Sequence, residues 1–393
     1  MSVLRMGELF AGYGGLGMGV TDVLDVELAW VSEFDKGANK ILAHRFPDVP
    51  NHGDITKIDW TQVEPVDVLT GGSPCQDLSH AGKRAGMTEG TRSNLWVAMR
   101  EAIAALRPSL VIWENVRGAY SAEAASGLVD DARLLADTRR RDGEPVLRAL
   151  GRVLGDLSDL GYDASWHGLR AADVGAPHGR FRVFIVAYPA ADARRIAREV
   201  PTARRLAAEP QPAGDGNPGR VGLTLLPTPA VNDMGAAYTP DEWDVWTDRM
   251  KAEHGNGNGH GKSLHIEAQR LLPTPKSIDS TGIKTSQRAK DLYSSKDSMG
   301  DIVEQQTWGQ YAAAIARWEA LTRPAPSPTE TGPKGNPRLS AAFSEWLMGL
   351  PAGWVTDVPG ITRNEALKAL GNGVVPQQAE TAVRFLLNVA VAA

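Results

Sequence analysis

The sequence contains a single cysteine among 393 residues and no long uncharged apolar run. One cysteine excludes an internal disulfide and a cysteine-based zinc cluster, so Cys75 can act only as a lone thiol. A membrane-spanning helix needs about 18 consecutive apolar residues, and no such run is present. The first residues also lack the basic, apolar and small-residue order of a signal peptide. We therefore expect a cytoplasmic protein with no membrane partner.

No extreme of composition is present either. Hydrophobic residues make up 42% and charged residues 23% of the chain, which excludes a disordered, collagen-like or coiled-coil protein. The length exceeds what one hydrophobic core usually supports, so two unequal domains are expected. A net charge of -5 excludes a uniformly basic protein, although residues 191–340 carry +1 and the remainder -6. Mixed charge of this kind also occurs on ordinary surfaces and does not by itself indicate nucleic-acid binding.

Residues 1–190 alternate short apolar runs with helical patterns, which predicts an α/β domain with a parallel sheet. The predicted strands are 4–10, 26–33, 66–72, 109–116 and 181–189. The predicted helices between them are 35–46, 94–106 and 145–160. Each strand candidate is apolar enough to be covered on both faces.

The amino-acid composition changes after residue 190, where Ala, Arg, Pro and Gly become frequent and the pentapeptide LLPTP occurs twice. A helix over 308–321 places Trp308, Tyr311, Ile315 and Trp318 on one face, which predicts packing in a small core. The proline-rich stretch 323–337 predicts an extended connector. We divide the chain into 1–190, 191–337 and a segment 338–393 that returns to the first domain. That segment contains a helix over 343–350, a turn over 370–376 and a terminal helix over 378–392.

A glycine-rich turn, Gly12-Tyr13-Gly14-Gly15-Leu16-Gly17, follows the first predicted strand. Glycines at this place allow a nucleotide to approach the backbone closely. Glu33 lies 21 residues after Gly12, at the end of the second strand, where a carboxylate can accept hydrogen bonds from ribose hydroxyls. The pattern predicts a nucleoside cofactor and leaves NAD, FAD and S-adenosylmethionine open, as well as a turn without a ligand.

Three further segments place reactive groups at strand ends. Cys75 lies in the turn Gly71-Gly72-Ser73-Pro74-Cys75-Gln76, where backbone N–H groups can stabilise a thiolate. Glu114 ends the strand 109–116, while Arg180 and Arg182 enter the strand 181–189 on one face. Carboxyl ends of neighbouring parallel strands meet at one edge, so a nucleophile, a carboxyl group and two guanidinium groups are expected in one pocket. Taken singly, each has a structural alternative: a buried small side chain for Cys75 and surface charges for the others.

At this point the sequence resembles the DNA (cytosine-5)-methyltransferases of bacterial and bacteriophage type. The segments FAGYGGLG, SEFD, GDI, GGSPCQ, ENV, HGRFR and GNGVVP occur in the order in which that family carries its motifs and span nearly the whole chain. The resemblance implies a Rossmann-like class I methyltransferase sheet with a smaller inserted target-recognition domain. It also implies transfer of a methyl group from S-adenosyl-L-methionine to carbon 5 of a flipped-out cytosine in duplex DNA, through a covalent adduct on Cys75 and without a metal.

The resemblance also implies residue roles. Glu114, Arg180 and Arg182 would act with Cys75 in catalysis. The expected cofactor contacts are Phe10, Gly12, Gly14, Leu16, Glu33, Phe34, Asp54, Ile55, Asn372 and Val374. The expected DNA contacts are Pro74, Gln76, Ser79, Lys83, Arg84 and Arg92. The expected partners are double-stranded DNA, bound by one copy of the chain, and a cognate restriction endonuclease if the protein belongs to a restriction-modification system.

Two other functions compete with this interpretation. An oxidoreductase on a dinucleotide fold would explain the glycine turn and Glu33 but would leave Cys75, Glu114 and both arginines without a role. A DNA-binding protein that had lost catalysis would be expected to lack the cysteine or the glutamate, and both are present. The sequence departs from the family pattern at His178, where glutamine is frequent, and at Leu78, where an aromatic is common. The LLPTP repeats match no recognition rule.

Overall fold

The computed structural model describes residues 3–73, 95–116, 119, 123–124, 147–192, 225–231, 233–254, 262–271, 308–333 and 337–392. Its centre is a six-stranded sheet with the strand order β2-β1-β3-β4-β8-β7. The strands in the first half of the chain are β1 Leu4–Leu9, β2 Val26–Ser32, β3 Val68–Gly71, β4 Leu110–Val116, β5 Glu123–Ala124, β6 Leu147–Arg148, β7 Tyr162–Arg170 and β8 Phe181–Pro189. β5 and β6 form a separate short antiparallel pair.

Helices cover both faces of this sheet, as expected when strands are apolar on both sides. The helices of this half are α1 Gly15–Thr21, α2 Lys36–Arg45, α3 Leu95–Leu106 and α4 Ala149–Asp159. Residues of α3 and α4 pack on the face that carries Val111 and Trp113. The opposite face, with Ile112 and Phe184, packs against α1 and the last helix of the chain. The prediction of an α/β domain is therefore confirmed.

One part of the sheet prediction was wrong. β1, β2, β3 and β4 are mutually parallel, but β8 pairs antiparallel with β4, and β7 pairs antiparallel with β8. β7 was not predicted, because its partly exposed sequence YDASWHGLR lies at the edge of the sheet and lacks a continuous apolar run. Antiparallel pairing places the first residues of β8 beside the last residues of β4, since Arg182 lies opposite Val116. Reversal of β8 is therefore what brings the arginines to the edge that carries Glu114.

The remaining described elements follow residue 225. They are α5 Pro240–His254, α6 Leu264–Leu271, α7 Ala312–Leu321, β9 Thr329–Thr331, β10 Pro337–Leu339, α8 Ala341–Leu347, α9 Arg363–Asn372 and α10 Pro376–Ala392. The predicted stripe of Trp308, Tyr311, Ile315 and Trp318 is buried, as expected. However, it shares its core with Phe343, Trp346 and other residues of 339–375 and does not form a small core of its own. The predicted connector 323–337 contains β9, which pairs antiparallel with β10, a strand that begins at the last residue of the connector.

The terminal helix α10 connects the C-terminal segment to the first helix of the chain. Gly19 of α1 lies so close to α10 that an added Cβ would be 2.5 Å from the Pro376 carbonyl oxygen and 2.6 Å from Ala379 Cβ. Two helices can approach this closely only where one of them lacks a side chain. Among the described helices, none is long and apolar enough to cross a membrane.

We predict that Gly19→Ala lowers the free energy of unfolding by about 1–3 kcal/mol, because α1 and α10 must move apart to accept the methyl group. The matched control is Gly155→Ala in α4, where an added Cβ meets nothing within 4 Å. The control should instead gain about 0.5–1 kcal/mol from helix propensity. Thermal unfolding of both variants beside the parent checks this, and equal shifts in the two variants would contradict the close contact.

Candidate active site

The carboxyl end of β4 carries a buried ion pair. Glu114 is 7% exposed, and its Oε1 lies 2.6 Å from Arg182 Nε on the neighbouring strand β8. In the antiparallel register Glu114 is opposite Phe184 and Val116 is opposite Arg182, so Glu114 and Arg182 are diagonal neighbours on one face. The predicted convergence of Glu114 with an arginine is therefore present in the structure.

Arg180, two residues earlier, contacts backbone carbonyls. Its guanidinium donates to the carbonyl oxygens of Pro229 at 3.3 Å, Gly371 at 3.1 Å and Gly373 at 2.7 Å. It is 4% exposed. Arg180 therefore connects the start of β8 to two segments that are far from it in sequence, one at Pro229 and one at 371–373. It also lies beside the Glu114–Arg182 pair.

Burial and the charges of the neighbouring arginines shift the pKa values of Glu114 and Arg180. Burial raises the pKa of Glu114, and the charges of Arg182 and Arg180 act against that rise. Burial, with the nearby charge of Arg182, lowers the pKa of Arg180 to about 9, so its guanidinium remains charged at neutral pH. The arrangement holds a carboxyl group whose proton affinity is raised next to two cations.

The glycine-rich turn forms a second part of the site at the ends of β1 and β2. Gly12 adopts a left-handed backbone with φ of +59°, and open space faces the position of its absent side chain. Phe10 also has a positive φ, +55°, a conformation that costs energy for a residue with a side chain and is often found at functional sites. The turn therefore presents bare backbone toward open space.

Glu33 organises this turn. Its Oε2 accepts the Gly12 N–H at 2.8 Å, and its Oε1 accepts the N–H groups of Phe34 at 2.8 Å and Asp35 at 2.7 Å. Phe34 is 72% exposed, so its ring is available to a ligand. A carboxylate beside an exposed aromatic ring and a bare glycine turn fits an adenosine group, with Glu33 near the ribose and Phe34 against the base.

The other predicted cofactor residues lie in different surroundings. Asp54 and Ile55 flank the start of a short 3-10 helix, Ile55–Lys57, and the Ile55 side chain is buried in the main core. Gly14 precedes α1, and the Leu16 side chain packs under the sheet. Asn372 is exposed at the end of α9, whereas Val374 is buried and its carbonyl oxygen accepts the Tyr13 hydroxyl at 2.7 Å. The C-terminal segment thus reaches the glycine turn.

Several predicted residues lie outside the part of the chain that the structure describes. These are Cys75, Pro74, Gln76, Leu78, Ser79, Lys83, Arg84 and Arg92. Ser73 is the last described residue before them, and it is buried at the same edge as Glu114. Their assigned roles stay predictions.

His178, which stands where the family often has glutamine, is fully buried. Burial lowers its pKa to about 3, so the ring is neutral and carries one proton. Its Nε2 lies 2.9 Å from the Leu347 carbonyl oxygen, and its Nδ1 accepts the Arg180 N–H at 3.4 Å. The ring therefore links α8 to Arg180, which lies two residues before Arg182 of the ion pair.

Three buried polar residues were missed by sequence reasoning, two of them in or beside the glycine turn. In the sequence motif, Tyr13 is only a variable position of the glycine turn. Glu8 lies within β1, where its Oε1 accepts the Gly17 N–H at 3.0 Å. Glu345 of α8 accepts the N–H groups of Gly353 at 2.8 Å and Val355 at 2.6 Å. A carboxylate inside an otherwise apolar strand or helix was the available signal for both glutamates.

A mainly parallel sheet with a glycine turn after β1 and a carboxylate after β2 defines the class: a Rossmann-like α/β fold of the nucleoside-binding kind. A family model described as "C-5 cytosine-specific DNA methylase" matches residues 4–387. The chain belongs to that family, and the family predicted from its motifs is confirmed.

Individual relatives match over shorter stretches. The chain is 31% identical over 190 residues to the Type II methyltransferase M.NgoBV of Neisseria gonorrhoeae, covering 47% of this chain and 41% of that protein. It is 33% identical over 184 residues to M1.ScrFI of Lactococcus lactis subsp. cremoris, with the same coverage of 47% and 41%. It is 27% identical over 263 residues to M.DsaV of Dactylococcopsis salina, covering 66% and 63%. The match to the first two relatives thus spans less than half of their length.

The carboxyl group of Glu8 gives a prediction for pH. Burial raises its pKa to about 8, with a smaller contribution from the charge of Glu33, against the lowering effect of the Gly17 N–H. A carboxyl whose pKa is higher in the folded than in the unfolded state loses stabilisation as the pH rises from about 4.5 to about 8. Glu8→Gln keeps an acceptor for Gly17 but cannot ionise. We expect its melting temperature, relative to that of the parent, to rise between pH 5 and pH 8.

Melting curves of the two proteins at several pH values provide the measurement. Glu27→Gln is the control, because Glu27 is an exposed residue of the neighbouring strand β2. A difference between Glu8→Gln and the parent that is independent of pH would show that Glu8 is ionised throughout this range.

Proposed function

We propose that this protein transfers a methyl group from S-adenosyl-L-methionine to carbon 5 of cytosine in duplex DNA, at a specific sequence. The observation that carries the proposal is the buried pair of Glu114 and Arg182 at the edge where β3 ends shortly before Cys75 in the sequence. Membership of the C-5 cytosine-specific DNA methylase family supports the same chemistry. An oxidoreductase would have no use for this pair.

The chemistry explains why these groups are needed. Carbon 5 of cytosine is a poor nucleophile, so the Cys75 thiolate would first add to carbon 6 of the ring. Glu114 would hold a proton against ring nitrogen 3 and relieve the charge that develops there. Burial raises the pKa of Glu114, and a higher pKa favours the protonated form that this task requires. Carbon 5, made electron-rich by this addition, would then take the methyl group, and S-adenosyl-L-homocysteine would leave as the product. Loss of the carbon 5 proton to a base or water, and expulsion of the thiolate, would complete the reaction.

Arg182 would orient Glu114 for this step. Its Nε engages Oε1 of the carboxyl group, which leaves Oε2 for the cytosine. Arg180 would fix the start of β8 beside Glu114 through its hydrogen bonds to the carbonyl oxygens of Pro229, Gly371 and Gly373. Because the cytosine carbon is inaccessible in stacked DNA, the base must rotate out of the helix at a cost of a few kcal/mol.

The cofactor would supply an activated methyl group. Glu33 would accept hydrogen bonds from its ribose hydroxyls, Phe34 would stack on its adenine, and the bare backbone at Gly12 would allow close approach. Residues 191–337 would form the target-recognition domain. We further propose that one copy of the chain acts on DNA in the cytoplasm, and that a restriction endonuclease of the same specificity accompanies it.

The first test measures methyl transfer. We expect unmethylated duplex DNA to acquire label from methyl-labelled S-adenosylmethionine and to yield 5-methyldeoxycytidine on digestion. Cys75→Ala should abolish the incorporation, because no adduct can form, while DNA affinity in a gel-shift assay stays within a few-fold. Label retained by Cys75→Ala would refute covalent catalysis, and reduction of NAD without any label would favour an oxidoreductase.

The second test addresses the carboxyl group. Glu114→Gln keeps the size of the side chain but cannot deliver a proton, so we expect the rate of methyl transfer at saturating substrates to fall by about 10²–10⁴-fold. Glu101→Gln is the matched control, since Glu101 is exposed on α3, and it should leave the rate unchanged. A near-normal rate for Glu114→Gln would remove its assigned role.

A further inference from the structure

Ser73, which precedes Pro74-Cys75-Gln76 in the sequence, is held by two side chains of β4. Trp113 donates its indole Nε1–H to Ser73 Oγ at 3.0 Å, and Asn115 Nδ2 donates to the Ser73 carbonyl oxygen at 3.3 Å. All three residues are buried. Trp113 and Asn115 lie on the face of β4 opposite to Glu114, because side chains alternate along a strand. The chain that leads to Cys75 is therefore attached to the strand that carries Glu114.

Gly72 shows how close this attachment is. A carbon added to Gly72 would lie 2.8 Å from Glu114 Oε2. The backbone just before Ser73 thus runs against the carboxyl oxygen that Arg182 does not engage. A shift of the chain at residues 72–73 would change the surroundings of this oxygen.

The same tryptophan holds the first residues after segment 74–94. Trp96, at the start of α3, is fully buried, and its ring meets Trp113 edge to face with 5.8 Å between centroids. The Trp96 indole N–H donates to Asp156 Oδ2 of α4 at 2.8 Å, and Arg152 Nε donates to the same oxygen at 2.8 Å. Trp96 is therefore fixed on one side by Trp113 and on the other by a buried carboxylate.

We propose that Trp113 is a positioning residue for the reaction. It holds Ser73, the last described residue before segment 74–94, and Trp96, in the first turn of the helix that follows this segment, at a fixed place relative to Glu114, and Asp156 supports it through Trp96. The proposal rests on the proposed function, because it concerns where the chain that leads to the nucleophile lies relative to the general acid. Misplacement of a reacting group by about 1 Å can cost about 100-fold in rate, so small displacements of this anchor matter.

An ordinary packing role for Trp113 makes a different prediction. A buried tryptophan commonly finds some acceptor for its N–H, and loss of that bond would then lower stability without a specific effect on the reaction. Trp30 is a matched case on the same sheet: it is 1% exposed, lies in β2, and donates its Nε1–H to the Glu64 carbonyl oxygen at 2.9 Å. Trp30→Phe therefore removes an equivalent bond away from the β4 edge.

The test compares Trp113→Phe, Ser73→Ala, their combination and Trp30→Phe in the full-length protein. Trp113→Phe keeps an aromatic ring against Trp96 but loses the N–H, whereas Ser73→Ala removes the acceptor and leaves the tryptophan intact. The measurements are kcat for methyl transfer, KM for S-adenosylmethionine, and release of tritium from carbon 5 of cytosine in duplex DNA. Tritium release is measured without S-adenosylmethionine, where it reports attack on the ring separately from methyl transfer.

We expect Trp113→Phe and Ser73→Ala each to lower kcat and tritium release about tenfold, with KM for S-adenosylmethionine changed less than twofold. The double variant should be no slower than the slower single variant, because both substitutions break one hydrogen bond. Trp30→Phe should lose thermal stability but keep kcat. Should Trp113→Phe fail to fold, Ser73→Ala carries the same prediction.

The proposal is overturned if Trp113→Phe and Ser73→Ala behave like Trp30→Phe, or if their effects multiply in the double variant. It is also overturned if the loss appears only in KM for S-adenosylmethionine. Failure of the proposed function has a different signature: the parent protein itself would then transfer no methyl group to DNA and release no tritium.

Discussion

The buried ion pair between Glu114 and Arg182 is the constraint on which the rest of the site depends. A carboxylate removed from water needs a cation and further polar neighbours, because its desolvation otherwise costs several kcal/mol. Arg182 supplies the cation only because β8 runs antiparallel to β4 and begins where β4 ends. The pair thus requires a reversed strand in a sheet whose first four strands are parallel.

The same constraint explains why the C-terminal segment returns to the start of the chain. Arg180 is buried beside the pair and needs acceptors, which it finds in the carbonyls of Gly371, in the last turn of α9, and of Gly373, just after that helix. Tyr13 of the glycine turn donates to Val374, the next residue. The segment 371–374 therefore contacts the edge that carries Glu114 through Arg180 and the glycine turn through Tyr13, so both regions share one support.

The Pro229 carbonyl is the third acceptor of Arg180. Pro229 belongs to the first copy of LLPTP, in which the Leu226 N–H also donates to the Pro177 carbonyl oxygen at 2.7 Å. A motif without a recognition rule in the sequence thus has a structural use, because it attaches the variable stretch to the start of β8. The absence of a side chain at Gly371 allows the backbone that follows LLPTP to approach closely, since an added Cβ would lie 2.6 Å from the Val231 nitrogen.

Much of the fold and site could be predicted because local patterns carried the information. Five apolar runs marked five of the six strands of the main sheet within a few residues, and Gly12, Glu33, Glu114 and Arg182 stood in recognisable motifs. β7 escaped because an edge strand needs no continuous apolar run. Trp113, Trp96 and Asp156 escaped because their roles are contacts between elements 17 to 60 residues apart, which no local pattern records.

The sequence by itself determined the family, the order of the elements and the residue types available for chemistry, because these depend on motif identity and on apolar periodicity. Only the tertiary structure decided the direction of β8, the pairing of Arg182 rather than Arg180 with Glu114, and the attachment of Ser73 to Trp113. Strand direction and side-chain partners follow from which surfaces pack together, and that choice is made by the whole core at once.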